Sequence, residues 1–209
     1  MRYQDYILLS LLWAVYCIVH SALISVTVTD FLRRVLGDRY RFYRLIFNTF
    51  SAGTLVLLIL YSHSARFKAE PLFTWEGYMR IVQSCLIALA TVLVLTSARH
   101  YSMLQFLGIP QILHGRSKGA MTESGKLDSS GVLGVVRHPW YLAVFILLWT
   151  SDLNLAGVTI NIVLSVYLVI GTLLEERKLV LEFGDKYKLY QRQVSMFIPL
   201  RWLGSKLHR

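Results

Sequence analysis

Apolar residues of this chain collect in five segments separated by polar and basic stretches. The segments cover roughly residues 6–28, 44–62, 78–97, 140–156 and 158–174. The first three have about the twenty apolar residues that a helix needs to cross the hydrocarbon core of a bilayer. The last two are shorter, and a polar turn at 151–157 joins them. They predict a tight helical hairpin whose two segments each fall short of the usual spanning length.

The composition agrees with a protein that lives in a membrane. The chain is 55% hydrophobic and 16% charged, whereas soluble domains carry about 25% charged residues. We therefore predict an all-α, polytopic integral membrane protein with about five transmembrane or hairpin helices. The first apolar segment is too long for a signal peptide and has no small-residue cleavage site after it, so no cleavable signal is expected.

Lysine and arginine are distributed unevenly between the polar stretches. Residues 29–44, 98–139 and 175–209 contain 5, 5 and 8 of them, against one at the N-terminus and three in the 63–80 loop. Basic residues favour the cytoplasmic side, so this pattern predicts an outer N-terminus, five crossings and a cytoplasmic C-terminus. The net charge of +10 then indicates affinity for anionic lipid of the bilayer, and no nucleic-acid partner is expected. The protein is expected in a bacterial inner membrane or a eukaryotic endomembrane.

The chain is predicted to form a single membrane domain over residues 1–209. Within it, residues 1–97 supply three spans, 98–130 form a cytoplasmic or interfacial loop, and 131–199 form a C-terminal helical segment at the cytoplasmic face. Cys17 and Cys85 both fall in predicted spans, and their spacing forms neither a metal site nor a disulfide framework. No metal is expected, and the sequence carries no signal for an oligomeric state.

Candidate chemistry is concentrated on both flanks of the hairpin. Pro139 suits the first position of a helix, because proline lacks an amide proton and its φ is preset. Arg137 and His138 then lie at a helix N-terminus, where free amides and a guanidinium favour an anion. The hairpin returns Glu175 and Glu176 to the same face.

These residues predict a binding site, although each motif alone is also typical of an ordinary helix flank. The carboxylates of Glu175 and Glu176 could hold hydroxyl or ammonium groups, and Tyr141 could add an aromatic wall. An anion receptor, carboxylates and an aromatic surface suit a zwitterionic, cationic nucleoside such as S-adenosyl-L-methionine, which remains one candidate among several on this reasoning alone.

The motifs of this half of the chain also resemble a known superfamily. Arg137-His138-Pro139-x-Tyr141, Glu175-Glu176 and the run Phe183-Gly184-x-x-Tyr187-x-x-Tyr190 to Val194 and Pro199 resemble the isoprenylcysteine carboxyl methyltransferase and phospholipid methyltransferase superfamily. The resemblance covers about residues 131–199. It implies an S-adenosyl-L-methionine pocket at the cytoplasmic face, to which it assigns the cofactor-binding residues Arg137, His138, Tyr141, Glu175 and Glu176.

The N-terminal half narrows this resemblance to one branch. His20-Ser21, the stretch 39–48 and the motif residues between Tyr101 and Gln111 are similar to the NnrU and methanethiol S-methyltransferase branch. Two features depart from the pattern. Val132 and Leu133 follow Gly131 where a tyrosine is common in the family, and the loop at 112–130 is rich in Gly, Ser and Lys rather than Pro and aromatic residues.

Methyl transfer from a sulfonium is an in-line displacement, so catalysis is mostly proximity and alignment. A small or lipophilic acceptor is expected, with a thiol or a carboxylate favoured. A neutral thiol would need a base. His20 and His138 are the catalytic candidates for this role, and His100 is a further candidate. For His20, a structural hydrogen bond to Ser21 or Asn48 is the alternative role.

Two further functions stay open at this point. The chain could be an NnrU-like membrane protein without catalytic turnover, which would keep the fold alone. It could also be a reductase that uses NADPH, because sterol reductases resemble the same C-terminal architecture. Ligand binding separates the three hypotheses: a sulfonium nucleoside, a dinucleotide, or neither.

Overall fold

The computed structural model describes residues 3–100, 104, 107–114 and 127–207, and these are predominantly helical. The α-helices are α1 Tyr3–Leu23, α2 Val26–Leu36, α3 Tyr43–Ser62, α4 Met79–Ala98, α5 Ile109–His114, α6 Pro139–Trp149, α7 Leu155–Phe183, α8 Asp185–Gln193 and α9 Leu200–Leu207. Short 3₁₀ turns lie at Gly37–Phe42, Ala65–Phe67 and Gly131–Gly134. The predicted all-α fold class is confirmed.

Four helical runs among the described residues are long and apolar enough to cross a membrane. They are α1, the run Val26–Ser62 that ends with α3, α4, and α7. The prediction of a polytopic integral membrane protein is therefore confirmed. The prediction that both hairpin segments are short holds for α6, which has 11 residues. Helix α7 has 29 residues, because the polar residues 175–183 continue the apolar segment 158–174 as helix, as the sequence predicts.

The described chain divides into two compact units, each built from segments that are distant in sequence. The first unit contains residues 1–74, 103–120 and 152–167, and the second contains 75–102, 121–151 and 168–209. Helix α7 contributes residues up to Tyr167 to the first unit and its remainder to the second. The predicted single domain over 1–209, with its division at 97 and 130, stays a prediction.

The first unit is held by an apolar core and by a set of contacts at one end of its helices. Its core contains Leu9, Trp13, Leu58, Phe67 and Ala156. At one end, Arg66 bonds Asp5 at 3.1 Å, and the backbone of Leu72 and Phe73 pairs with Leu153. These contacts place the start of α1, the loop after α3 and the turn before α7 on the same side of the first unit.

Two apolar clusters organise the second unit. Helices α4 and α6 pack through Ala90, Leu93 and Ala143, where the two small alanines let the helices approach closely. The second cluster contains Leu179, Tyr187, Tyr190 and Val194, and it folds α8 back onto the end of α7.

The reversal between α7 and α8 depends on Gly184. Its φ of 59° lies in the left-handed region that glycine enters without a Cβ penalty. The sequence predicts a helix end at Gly184, which agrees with the structure, and an N-cap at Asp185. Gly184 itself is the N-cap of α8, so this one glycine both ends α7 and begins α8.

Candidate functional site

The backbone around Arg137 and His138 is fixed by a short extended pairing rather than by a helix. Val136 forms a parallel bridge with Ser195. The Arg137 amide donates to the Ser195 carbonyl at 2.9 Å, and the His138 amide donates to the Met196 carbonyl at 3.2 Å. Pro139 occupies the first turn of α6, as the sequence predicts. The chain therefore presents Arg137 and His138 between α6 and the segment that follows α8.

Arg137 is buried, and its guanidinium is bonded within the protein. Its Nε donates to Oε1 of Glu176 at 2.6 Å. One terminal nitrogen donates to the carbonyls of Gln191, at 3.1 Å, and Val194. These carbonyls belong to the C-terminal end of α8, where a helix has unpaired acceptors and favours a cation. Arg137 thus ties α7 and α8 together.

The Glu176 carboxylate is the centre of this network. Its Oε1 also lies 3.1 Å from Nε2 of His138, and its Oε2 accepts from the Gln191 side chain at 2.9 Å. A carboxylate oxygen can only accept here, so the network assigns a proton to Nε2 of His138. Both oxygens of Glu176 are therefore occupied by groups of the protein.

Three other polar atoms of the second unit are buried and have no hydrogen-bond partner within the described residues. They are Nδ1 of His138, Oε2 of Glu175 and the hydroxyl of Tyr187. The first two lie 3.7 Å apart, beyond hydrogen-bonding distance. A buried polar atom without a partner costs about 1–3 kcal/mol, so three such atoms beside a satisfied ion pair are a feature that a polar ligand would explain.

Aromatic rings lie against the same histidine. The Tyr141 ring contacts His138 edge to face, with centroids 5.7 Å apart, and Phe197 lies 6.3 Å from it. Burial raises the pKa of the Tyr187 hydroxyl, and the negative charge of Glu176 raises it further. Tyr187 is therefore a neutral hydroxyl that can donate a hydrogen bond at physiological pH.

The structure thus brings together the predicted site residues of the C-terminal segment and divides them by their contacts. Arg137 and Glu176 bind each other, whereas Glu175 and His138 each keep an unpaired atom. Sequence reasoning missed Gln191 and Phe197. Both lie inside the motif that runs from Tyr190 to Pro199, which is the signal that could have found them.

His100, the further base candidate, is bonded elsewhere in the second unit. Its Nδ1 lies 2.6 Å from Oδ2 of Asp128. The other oxygen of Asp128 accepts from the amide and the hydroxyl of Ser130. These bonds to Ser130, and then the bond to His100, lower the pKa of the Asp128 carboxyl to about 2. His100 therefore fixes the segment that enters Gly131–Gly134.

His20 lies in the first unit, in the last turn of α1. Its ring is surrounded by those of Tyr16, Phe47 and Tyr167. The hydroxyl of Ser21 donates to Tyr167 at 3.1 Å, and the hydrogen bond from His20 to Ser21 or Asn48 stays a prediction. The catalytic role expected of His20 stays a prediction, as do the roles of the other site residues. Across the described residues, no group of three or more His, Cys, Asp or Glu side chains could hold a metal ion.

Comparison with known proteins gives a family and a set of named relatives. The family model described as "NnrU protein" matches residues 8–182. The methanethiol S-methyltransferase of Pseudomonas deceptionensis is 28% identical over 152 residues, which is 71% of this chain and 56% of that protein. Methanethiol S-methyltransferase 1 of Bradyrhizobium diazoefficiens is 32% identical over 111 residues, covering 53% of this chain and 39% of the relative.

A third relative extends the same pattern. The methanethiol S-methyltransferase of Crocosphaera subtropica is 31% identical over 128 residues, with 61% of this chain and 49% of the relative covered. The chain thus spans about half the length of the curated relatives it matches. No solved structure matches it significantly.

Proposed function

The chain belongs to the NnrU protein family. We propose that it is an integral membrane methyltransferase that uses S-adenosyl-L-methionine to methylate a small thiol. The observation that carries the proposal is the group of unpaired buried atoms on His138, Glu175 and Tyr187. The relatives named methanethiol S-methyltransferase support the reaction class and the thiol acceptor.

The unpaired atoms fit the polar groups of the proposed cofactor. The Glu175 carboxylate would accept hydrogen bonds from ribose hydroxyls or from the ammonium group. Nδ1 of His138 offers a second acceptor, and the Tyr187 hydroxyl offers a donor to a carboxylate. The rings of Tyr141 and Phe197 offer aromatic surface to the adenine or the sulfonium, to which aromatic faces are attracted. When bound, the cofactor supplies an electrophilic methyl group on a positively charged sulfur.

Arg137 and Glu176 take a different role in this proposal from the one expected of them. Two nitrogens of Arg137 already donate to Glu176 and to the carbonyls at the end of α8. We therefore assign them as positioning residues. They hold α7 against α8 and fix the proton of His138 on Nε2, which leaves Nδ1 directed to the ligand.

The proposed orientation follows the distribution of basic residues. The N-terminus lies outside, the C-terminal segment lies in the cytoplasm, and the water-soluble cofactor enters from the cytosol. A small apolar thiol, which dissolves in the bilayer, can approach between helices. This chain matches only about half the length of its named relatives. Their activity and substrate are therefore extended to this chain as a proposal.

The decisive variant for the cofactor site is Glu175→Gln. This change keeps the side-chain size but removes the negative charge, and it should weaken binding of S-adenosylhomocysteine about tenfold or more, since a charge-assisted hydrogen bond contributes about 1.5–3 kcal/mol. Calorimetric titration of the detergent-purified protein measures this affinity. Glu182→Gln is the matched control, because Glu182 is exposed on the same helix and its loss should leave the affinity unchanged.

Equal affinities in both variants would exclude Glu175 from the site. NADPH is the control ligand in the same titration. Binding of NADPH in place of S-adenosylhomocysteine would move the protein to the reductases, and binding of neither by folded protein would favour the role without turnover.

A further inference from the structure

The cluster around His20 in the first unit is built from three helices. Tyr16 and His20 lie one turn apart on α1, Phe47 comes from α3, and Tyr167 comes from α7. The ring centroids of His20 and Phe47 are 5.1 Å apart. Those of Tyr16 and Tyr167 lie 5.8 Å and 6.4 Å from His20. The three rings thus lie against one imidazole.

The hydroxyl groups of this cluster already have partners, whereas Nδ1 of the imidazole has none among the described residues. The Tyr167 hydroxyl accepts from Ser21 at 3.1 Å, and the Tyr16 hydroxyl donates to the Ser51 carbonyl at 3.4 Å. Nδ1 of His20 is buried and has no partner in the part of the chain that the structure describes. A histidine in a spanning helix is a functional candidate by default, because an unpaired polar group is costly in hydrocarbon.

Building on the proposed function, which names a small thiol as acceptor, we infer that this cluster binds a small alkyl thiol whose S–H donates a hydrogen bond to Nδ1 of His20. A thiol matches the surroundings in both of its properties. Its single weak donor suits one unpaired acceptor, and sulfur makes favourable contacts with aromatic rings. A carboxylate, a phosphate or an ammonium ligand would need several polar partners, which these rings do not supply.

Ethanethiol and ethyl methyl sulfide are the probes that test this inference. They have similar size and polarity, but the sulfide has no S–H to donate. Saturation-transfer NMR of the full chain in nanodiscs measures both affinities, with empty nanodiscs subtracted. His20→Phe keeps an aromatic ring and removes the acceptor, so it should weaken ethanethiol binding about fivefold, the size of one neutral hydrogen bond, and leave sulfide binding unchanged.

The matched control is His63→Phe, since the exposed His63 is bonded to its own helix through Nδ1. It should leave both probes unaffected. Unchanged ethanethiol affinity in His20→Phe, or an equal loss for both probes, would overturn the inference. The first result would assign Nδ1 to an ordered water. Affinity for S-adenosylhomocysteine shows whether each variant is folded. If His20→Phe does not fold, Phe47→Leu replaces it in the test. Loss of the Phe47 ring should weaken the binding of both probes.

The two proposals fail in different ways. If only this inference is wrong, the wild-type protein binds S-adenosylhomocysteine, and its thiol binding does not depend on His20. If only the proposed function is wrong, thiol binding depends on His20, but the protein does not bind S-adenosylhomocysteine.

Discussion

Removal of the Glu176 carboxylate tests the contact network on which the candidate site depends. Glu176→Ala takes away the acceptor for Arg137, His138 and Gln191 and leaves the Arg137 guanidinium buried without its counter-charge. Breaking a buried ion pair by removing one partner costs about 3–5 kcal/mol. The carbonyls of Gln191 and Val194 still accept from Arg137, so we expect a loss near the lower end of this range.

Unfolding in mixed micelles with increasing SDS measures this loss as a change in the free energy of unfolding. A double-mutant cycle with Arg137→Leu separates the ion pair from general packing effects. Each single variant leaves one buried charge, whereas the double variant leaves none, so the double variant should lose less than the sum of the two by about 0.5–3 kcal/mol. Glu182→Ala is the control and should change stability by less than about 0.5 kcal/mol. Additive losses, or a loss for Glu176→Ala as small as the control, would show that Arg137 and Glu176 do not form a stabilising pair.

Three other variants test the packing and electrostatics of the second unit. Asp128→Asn should remove a contribution to stability that is present above about pH 4, the ordinary carboxyl pKa. This contribution is lost as the pH falls towards the folded pKa of about 2. The difference in melting temperature between the variant and the wild type should therefore shrink below about pH 4. Ala143→Leu should overfill the contact with α4 and cost about 1–3 kcal/mol in SDS unfolding. Gly184→Ala places a Cβ at a φ of 59° and should cost about 1–2 kcal/mol by the same assay, although no atom lies within 4 Å of that Cβ.

Sequence reasoning found the features that depend on local chemistry. The lengths of the apolar runs predicted helices at α1, α3 and α4, because a spanning helix needs a continuous apolar stretch. Pro139 and Gly184 marked helix boundaries through their backbone preferences, and both lie at such boundaries in the structure. Helix α7 ends at Phe183, as expected from the polar residues 175–183 that continue the apolar segment 158–174 up to Gly184.

The division of roles within the site could not be predicted in the same way. Glu175 and Glu176 are adjacent on a helix, so their side chains point in directions about 100° apart, and no sequence pattern tells which of them meets Arg137. The contacts of Arg137 with the end of α8 depend on backbone carbonyls, which have no sequence signature. The pairing of Val136 with Ser195 joins residues far apart in the chain, so local preference does not reveal it.

Methyl transfer to a thiol can be measured as a reaction of the purified protein. Purified protein in nanodiscs is incubated with S-adenosyl-L-methionine and methanethiol, and dimethyl sulfide in the headspace is measured together with S-adenosylhomocysteine in solution. We expect both products to form in equal amounts and Glu175→Gln to reduce both together. Folded protein that binds S-adenosylhomocysteine but forms no dimethyl sulfide would contradict a thiol methyltransferase.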